Sequence, residues 1–216
     1  MPDTIIGRTG GPAEVDDVTY ALRVGLRPLP YGTLGHYRAT HSCVLAAAQA
    51  ANSRVFELRN TGSNLIVPTR LRIQAIQTAA GTAQENAIDV FKVTSFSVTD
   101  TTNIVTPTAT AARTTGMTAA PGGVALRGVT VTGAAAGMTG GTLTKAGGPL
   151  TSLPLLVSAT ASPSTYFIDA FQDTALEHPL VLGPNEGIII ENRVLNAVSY
   201  GFSLYIEMGW AELAAY

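Results

Sequence analysis

The chain is short of charge, of lysine, of cysteine and of long apolar runs. Charged residues make up only 13% of its 216 residues, about half the roughly 25% of an ordinary globular domain. The formal net charge of −2 excludes a generic basic nucleic-acid binder. A single cysteine, Cys43, excludes an internal disulfide framework. No run reaches the roughly 18 apolar residues of a membrane span. The opening MPDTIIGRTGGPAEVDD has neither a basic start nor an apolar core, so no signal peptide is expected. Yet 46% of the chain is hydrophobic, which excludes a disordered polymer and allows one sizeable core.

The kind of positive charge is as telling as its amount. Lys92 and Lys145 are the only lysines; the other eleven basic residues are arginine. Arginine is enriched at protein interfaces and lysine is depleted there. This balance suggests a surface largely covered by other subunits, although a GC-rich coding sequence would also favour arginine, alanine and glycine.

Residues 1–35 show no steady period and are punctuated by Gly7, Gly10, Gly11, Pro12, Pro28, Pro30, Gly32 and Gly35. Only Val18 to Leu26 resembles a strand or helical turn. The stretch is expected to be an extended N-terminal arm that engages a neighbour. Residues 36–216 are expected to form one β domain. In Val55 to Arg59, Phe56 and Leu58 face one way and Glu57 and Arg59 the other. Asn60 to Asn64 reads as a turn. Leu65 to Gln77 follows as a strand, with Leu71, Ile73 and Ala75 on one face and Pro68 marking an edge or a bulge. Ala87 to Val98 is a third β run. Phe202, Leu204, Ile206, Met208 and Trp210 alternate with Gly201, Ser203, Tyr205, Glu207 and Gly209, a period of two that excludes a helix. Pro179 to Leu182 and Ile188 to Leu195 read as a hairpin-like pair, and Tyr166 to Phe171 as a short strand. Val44 to Ala51 reads as the tail of a strand despite its alanines. About residues 100–160, rich in Thr, Ala and Gly, read as a long loop excursion with one or two extra strands. Short strands without intervening helices give an antiparallel β-sandwich. The jelly roll is the favoured two-sheet form and a barrel the runner-up.

The chemistry-bearing residues are few. His36, His41 and Cys43 form the one local group of soft ligands, with His178 far away. A closed tetrahedral zinc site needs four ligands, so a buried cysteine and solvated histidines are expected, and no metal. No nucleophile elbow or oriented Ser or Cys triad is evident. The paired carboxylates Asp16-Asp17, Asp169/Asp173 and Glu186/Glu191 read as turn and rim residues. Gly137 to Gly148 lacks the phosphate-loop lysine and reads as a loop. Arg70/Arg72 and Arg23/Arg27 are the only close arginine pairs. Neither a catalytic residue nor a cofactor is expected. Exposed aromatics on one sheet face would favour carbohydrate binding; the candidates Tyr31, Tyr37, Tyr200 and Tyr216 are scattered.

Two segments resemble virion structural proteins of tailed bacteriophages. One is AANSRVFELRNTGSNLIVPTRLRIQAIQT; the other is the ending PLVLGPNEGIIIENRV…YGFSLYIEMGWAEL. Together they cover about a third of the chain. The resemblance implies a non-enzymatic β-sandwich protein of the phage particle, a capsid decoration or cement protein working as a homotrimer. Its partners would be itself and the major capsid protein or other virion proteins, with no nucleic acid and no membrane. The place of work would be the virion, assembled in the bacterial host cytoplasm. The alternatives are a tail, head–tail or fibre-base protein, or a carbohydrate-binding β-sandwich.

Overall fold

A computed structural model of the chain describes residues 35–111, 122–160, 164–171 and 179–214. The expected arm therefore lies, except for Gly35, outside the described residues. So do Asp16, Asp17, Arg23, Arg27, Tyr31, Asp173, His178 and Tyr216.

The described residues are all-β, with two antiparallel sheets packed face to face. The strands are β1 (His36–Val44), β2 (Ser53–Asn60), β3 (Leu65–Gln77), β4 (Gln84–Phe96), β5 (Ile104–Val105), β6 (Ala109–Ala111), β7 (Val124–Val129), β8 (Leu143–Lys145), β9 (Thr151–Val157), β10 (Thr165–Ala170), β11 (Gly187–Asn192) and β12 (Phe202–Leu213). A five-stranded sheet runs β10-β3-β12-β1-β6. A seven-stranded sheet runs β5-β7-β2-β11-β4-β8, with β9 also on β4. The long strands pair in nested fashion: β1 with β12, β2 with β11, β3 with β10 and β4 with β9. The first half of the chain thus folds antiparallel onto the second, and the doubled ribbon is split between two layers.

The alternation in the sequence fixes the core. Phe202, Leu204, Ile206, Met208 and Trp210 point between the sheets, where they meet Tyr37, Phe56, Leu58, Leu71, Ile73, Ile88 and Ile190. Tyr37 and Trp210 stack at 5.7 Å between ring centres. Pro68 does mark a bulge. Gly209 faces Arg70 while Trp210 faces Pro68, so Thr69 is the extra residue. That one-residue insertion lets both Ile66 and Leu71 reach the core despite their odd spacing. The same device operates in β2, where Val55 is the extra residue opposite Ile190/Glu191. Val55 and Phe56 then both face inward.

Three expectations need correction. Val44 ends β1, and the following alanines form a turn with Ala48 at φ 52°, not a strand tail. Leu182 bridges Ile66 rather than pairing with β11, whose neighbours are β2 and β4. The turn at 183–187 is real, but the hairpin is not. The Thr/Ala/Gly-rich span is loop-rich, yet it carries five strands, β5 to β9, rather than one or two. Leu126, Val129, Leu153, Leu155 and Val157 from it are core residues. Glu57 faces away from Phe56 and Leu58 as expected, and it is fully buried. The loops around residues 97–103 and 137–146 roof the outer face of the seven-stranded sheet, so β11 is buried on both sides.

Candidate functional site

His41 and Cys43 share the inward face of β1, while His36 points outward and hydrogen-bonds Thr69 Oγ1 at 3.0 Å. His41 is buried, not solvated. Its ring lies against Gly128, where a Cβ would stand 2.5 Å from it, and 6.2 Å from Phe56. Burial holds its pKa below the usual histidine value. Burial pushes the Cys43 thiol up to about 12, so it stays protonated and un-nucleophilic at neutral pH. Among the described residues no group of three or more His, Cys, Asp or Glu side chains is placed to hold a metal ion.

The carboxylates are engaged separately. Glu186 pairs with Lys92 at 3.1 Å and caps the Gly183 N–H. Glu191 pairs with Lys145 at 2.5 Å; burial raises its pKa while that contact pulls it back. Asp169 faces Arg70 at 3.8 Å. The glycine-rich stretch contains β8, and its Gly140 N–H donates to Asp100 at 2.9 Å. That loop cradles a carboxylate of its own chain.

Among the described residues, nothing roofs the outer face of the five-stranded sheet as the loops roof its counterpart. Its register places Ser42, Tyr205, Gln74 and Phe167 in one cross-strand row. Thr40, Glu207, Arg72 and Asp169 form the next, and Arg38, Gly209 and Arg70 a third. Tyr205 is 46% exposed and Phe167 63%. Glu207 is held by Arg38 at 3.2 Å and Arg70 at 3.6 Å. A depression of about 300 Å³ lies over Thr40, Ser42, Arg72, Gln74, Tyr205 and Glu207. Of the aromatic candidates named from sequence, the two among the described residues are not here. Tyr37 is in the core, and Tyr200 is buried, its hydroxyl pushed up to about 12 by burial while Asn86 donates to it. Tyr205 was legible as an outward position, since it alternates with core residues. Phe167 was not, because nothing in Tyr166 to Phe171 says which side faces the core.

A second surface lies at one end of the seven-stranded sheet. A hollow of about 530 Å³ is bordered by Glu85, Pro154, Leu156, Tyr166, Arg193 and Val194. Leu156 in its lining is 54% exposed, and on the loop that follows Val194, Leu195 is 59% and Val198 84% exposed. The loop carrying the last two is firmly tied. Gln84 bonds the Leu195 carbonyl at 2.6 Å and the Ala197 N–H at 2.9 Å. Beneath it the Asn86 side-chain amide contacts Asn192 at 2.7 Å and Asn196 at 2.8 Å. Asn196 in turn donates to the Ala46 carbonyl at 2.9 Å.

No family model, no curated protein and no solved structure matches the chain.

Proposed function

We propose that the chain is a non-enzymatic structural protein of a tailed-phage particle, a capsid decoration or cement protein that assembles as a homotrimer and binds the head shell. The observation that carries this reading is the exposure of Leu156, Leu195 and Val198, the last two on a loop that Gln84 ties down. Apolar side chains displayed on an ordered loop suit a subunit that buries them on assembly.

Three further features support it. The nested pairing of β1/β12, β2/β11, β3/β10 and β4/β9 supports a jelly-roll form of the sandwich, an architecture common to viral capsid and lectin domains. Both lysines are engaged in ion pairs, leaving arginine as the cation of the open sheet face. His41 and Cys43, the closest approach to a catalytic pair, are turned into the core. A tail or fibre-base location is the variant of this reading that uses the same surface. The exposed row of Tyr205 and Phe167 favours carbohydrate binding as well, a function compatible with a particle protein.

The test is the solution mass of the Leu156→Asp/Val198→Asp double variant. Both side chains are already in water, so the fold is expected to survive. The proposal predicts that the assembled form falls to monomer. An unchanged mass removes these side chains from assembly.

A further inference from the structure

We infer that the outer face of the five-stranded sheet binds an acidic polysaccharide, beyond the assembly role and independent of it. Three things on this face point to the ligand.

The first is the pair of aromatic rings. Tyr205 and Phe167 lie in one row with Gln74 between them, two strands apart. At roughly 4.8 Å per strand their backbones are about 10 Å apart, a spacing suited to neighbouring sugar rings of one chain. Aromatic faces offer sugars a flat apolar contact, and Tyr205 keeps a hydroxyl for hydrogen bonding.

The second is unspent polarity. Among the described residues, the side chains of Thr40, Ser42, Gln74 and Arg72 make no hydrogen bond or ion pair, yet they border one depression. Hydroxyls and a carboxamide around an aromatic ring match the alternating donors and acceptors of a sugar.

The third is charge. Glu207 and Asp169 flank Arg72 in register but are turned to Arg38 and Arg70. Arg72 therefore keeps a free planar guanidinium, the group best shaped to take a carboxylate through two parallel hydrogen bonds. Among the described residues, three arginines against two carboxylates give this face an excess positive charge. A uronic-acid chain supplies the carboxylate, the hydroxyls and the flat ring faces together. A nucleic acid fits less well, since its closely spaced phosphates would meet Glu207 and Asp169 with only one uncommitted cation.

The experiment titrates the full chain with tetragalacturonate, with its methyl ester and with an oligothymidylate. Saturable binding to tetragalacturonate is expected, weakened by salt and lost for the ester. Arg72→Gln and Tyr205→Ala should each lower affinity tenfold or more. Arg72 makes no ion pair among the described residues, so its replacement tests recognition rather than folding. No binding, equal binding of the ester, tighter binding of oligothymidylate, or affinity unchanged in both variants overturns the proposal. So does a drop in oligomer mass in Arg72→Gln, which would assign the face to a subunit contact. The assembly reading has its own readout, the mass of the Leu156/Val198 variant, so the two fail separately.

Discussion

Replacing Arg54 with methionine should be among the most damaging single changes to the fold. The Val55 bulge turns Arg54 away from the core, beside Glu57. Its guanidinium meets Glu57 Oε2 at 3.1 Å and Asp100 Oδ2 at 2.9 Å, and donates to the carbonyls of Met138 and Gly140. Asp100 also accepts the N–H groups of Gly140 and Thr102. One side chain thus fastens two roof loops to β2. Methionine fills a similar volume but strands two buried carboxylates, a loss of about 3–5 kcal/mol for breaking a buried pair. The loss depends on pH. Burial already raises the Glu57 pKa, and Arg54 pulls it back. Without Arg54 it rises further. The folded variant then holds a proton that the unfolded chain has released, so its stability falls as pH rises from the ordinary glutamate value towards the raised one. Urea unfolding at pH 7.5 and pH 4.5 reads both effects, and adding Glu57→Gln to the variant should recover part of the loss. A loss below about 1 kcal/mol at pH 7.5, or a larger one at acid pH, would refute the reasoning.

Trp210→Ala should cost about 3–5 kcal/mol in denaturant unfolding, since the indole is fully buried against Tyr37; a near-neutral result would contradict that packing. His41 titrates lower in the fold than in the unfolded chain. The unfolded state therefore takes up protons first, and stability is lost as pH drops from about 6.5 towards the folded value. His41→Gln should flatten the melting temperature between pH 7 and 5, and an unchanged slope would count against the burial argument. Removing residues 1–34 should leave a folded sandwich by circular dichroism, because the described core begins at Tyr37, while weakening assembly by sedimentation. Unfolding of the truncated chain would make the segment part of the core.

Much of the fold was legible because strand alternation is a short-range signal. Residues 202–210 give their faces residue by residue, and Pro68 gives its bulge. The pairing partners were not legible. Leu182 joins Ile66 and β11 joins β2 and β4 through contacts distant in sequence, which local turn chemistry cannot report. The roof over the seven-stranded sheet hid the burial of Glu57, because an alternating strand reads its polar side as solvent. The candidate surfaces were half legible. Tyr205 was visible as outward; the meeting of Tyr205, Gln74 and Phe167 depends on the register of three strands. Leu195 read as a strand end and Val198 fell between two strands, and only the Gln84 and Asn86 contacts show that their loop is tied down.

The most direct test of the assembly claim is the solution mass of the full chain, by light scattering after size exclusion. The account predicts a stable species at three times 22.4 kDa, reduced to a single chain by Leu156→Asp/Val198→Asp. A monomer at every concentration would contradict it.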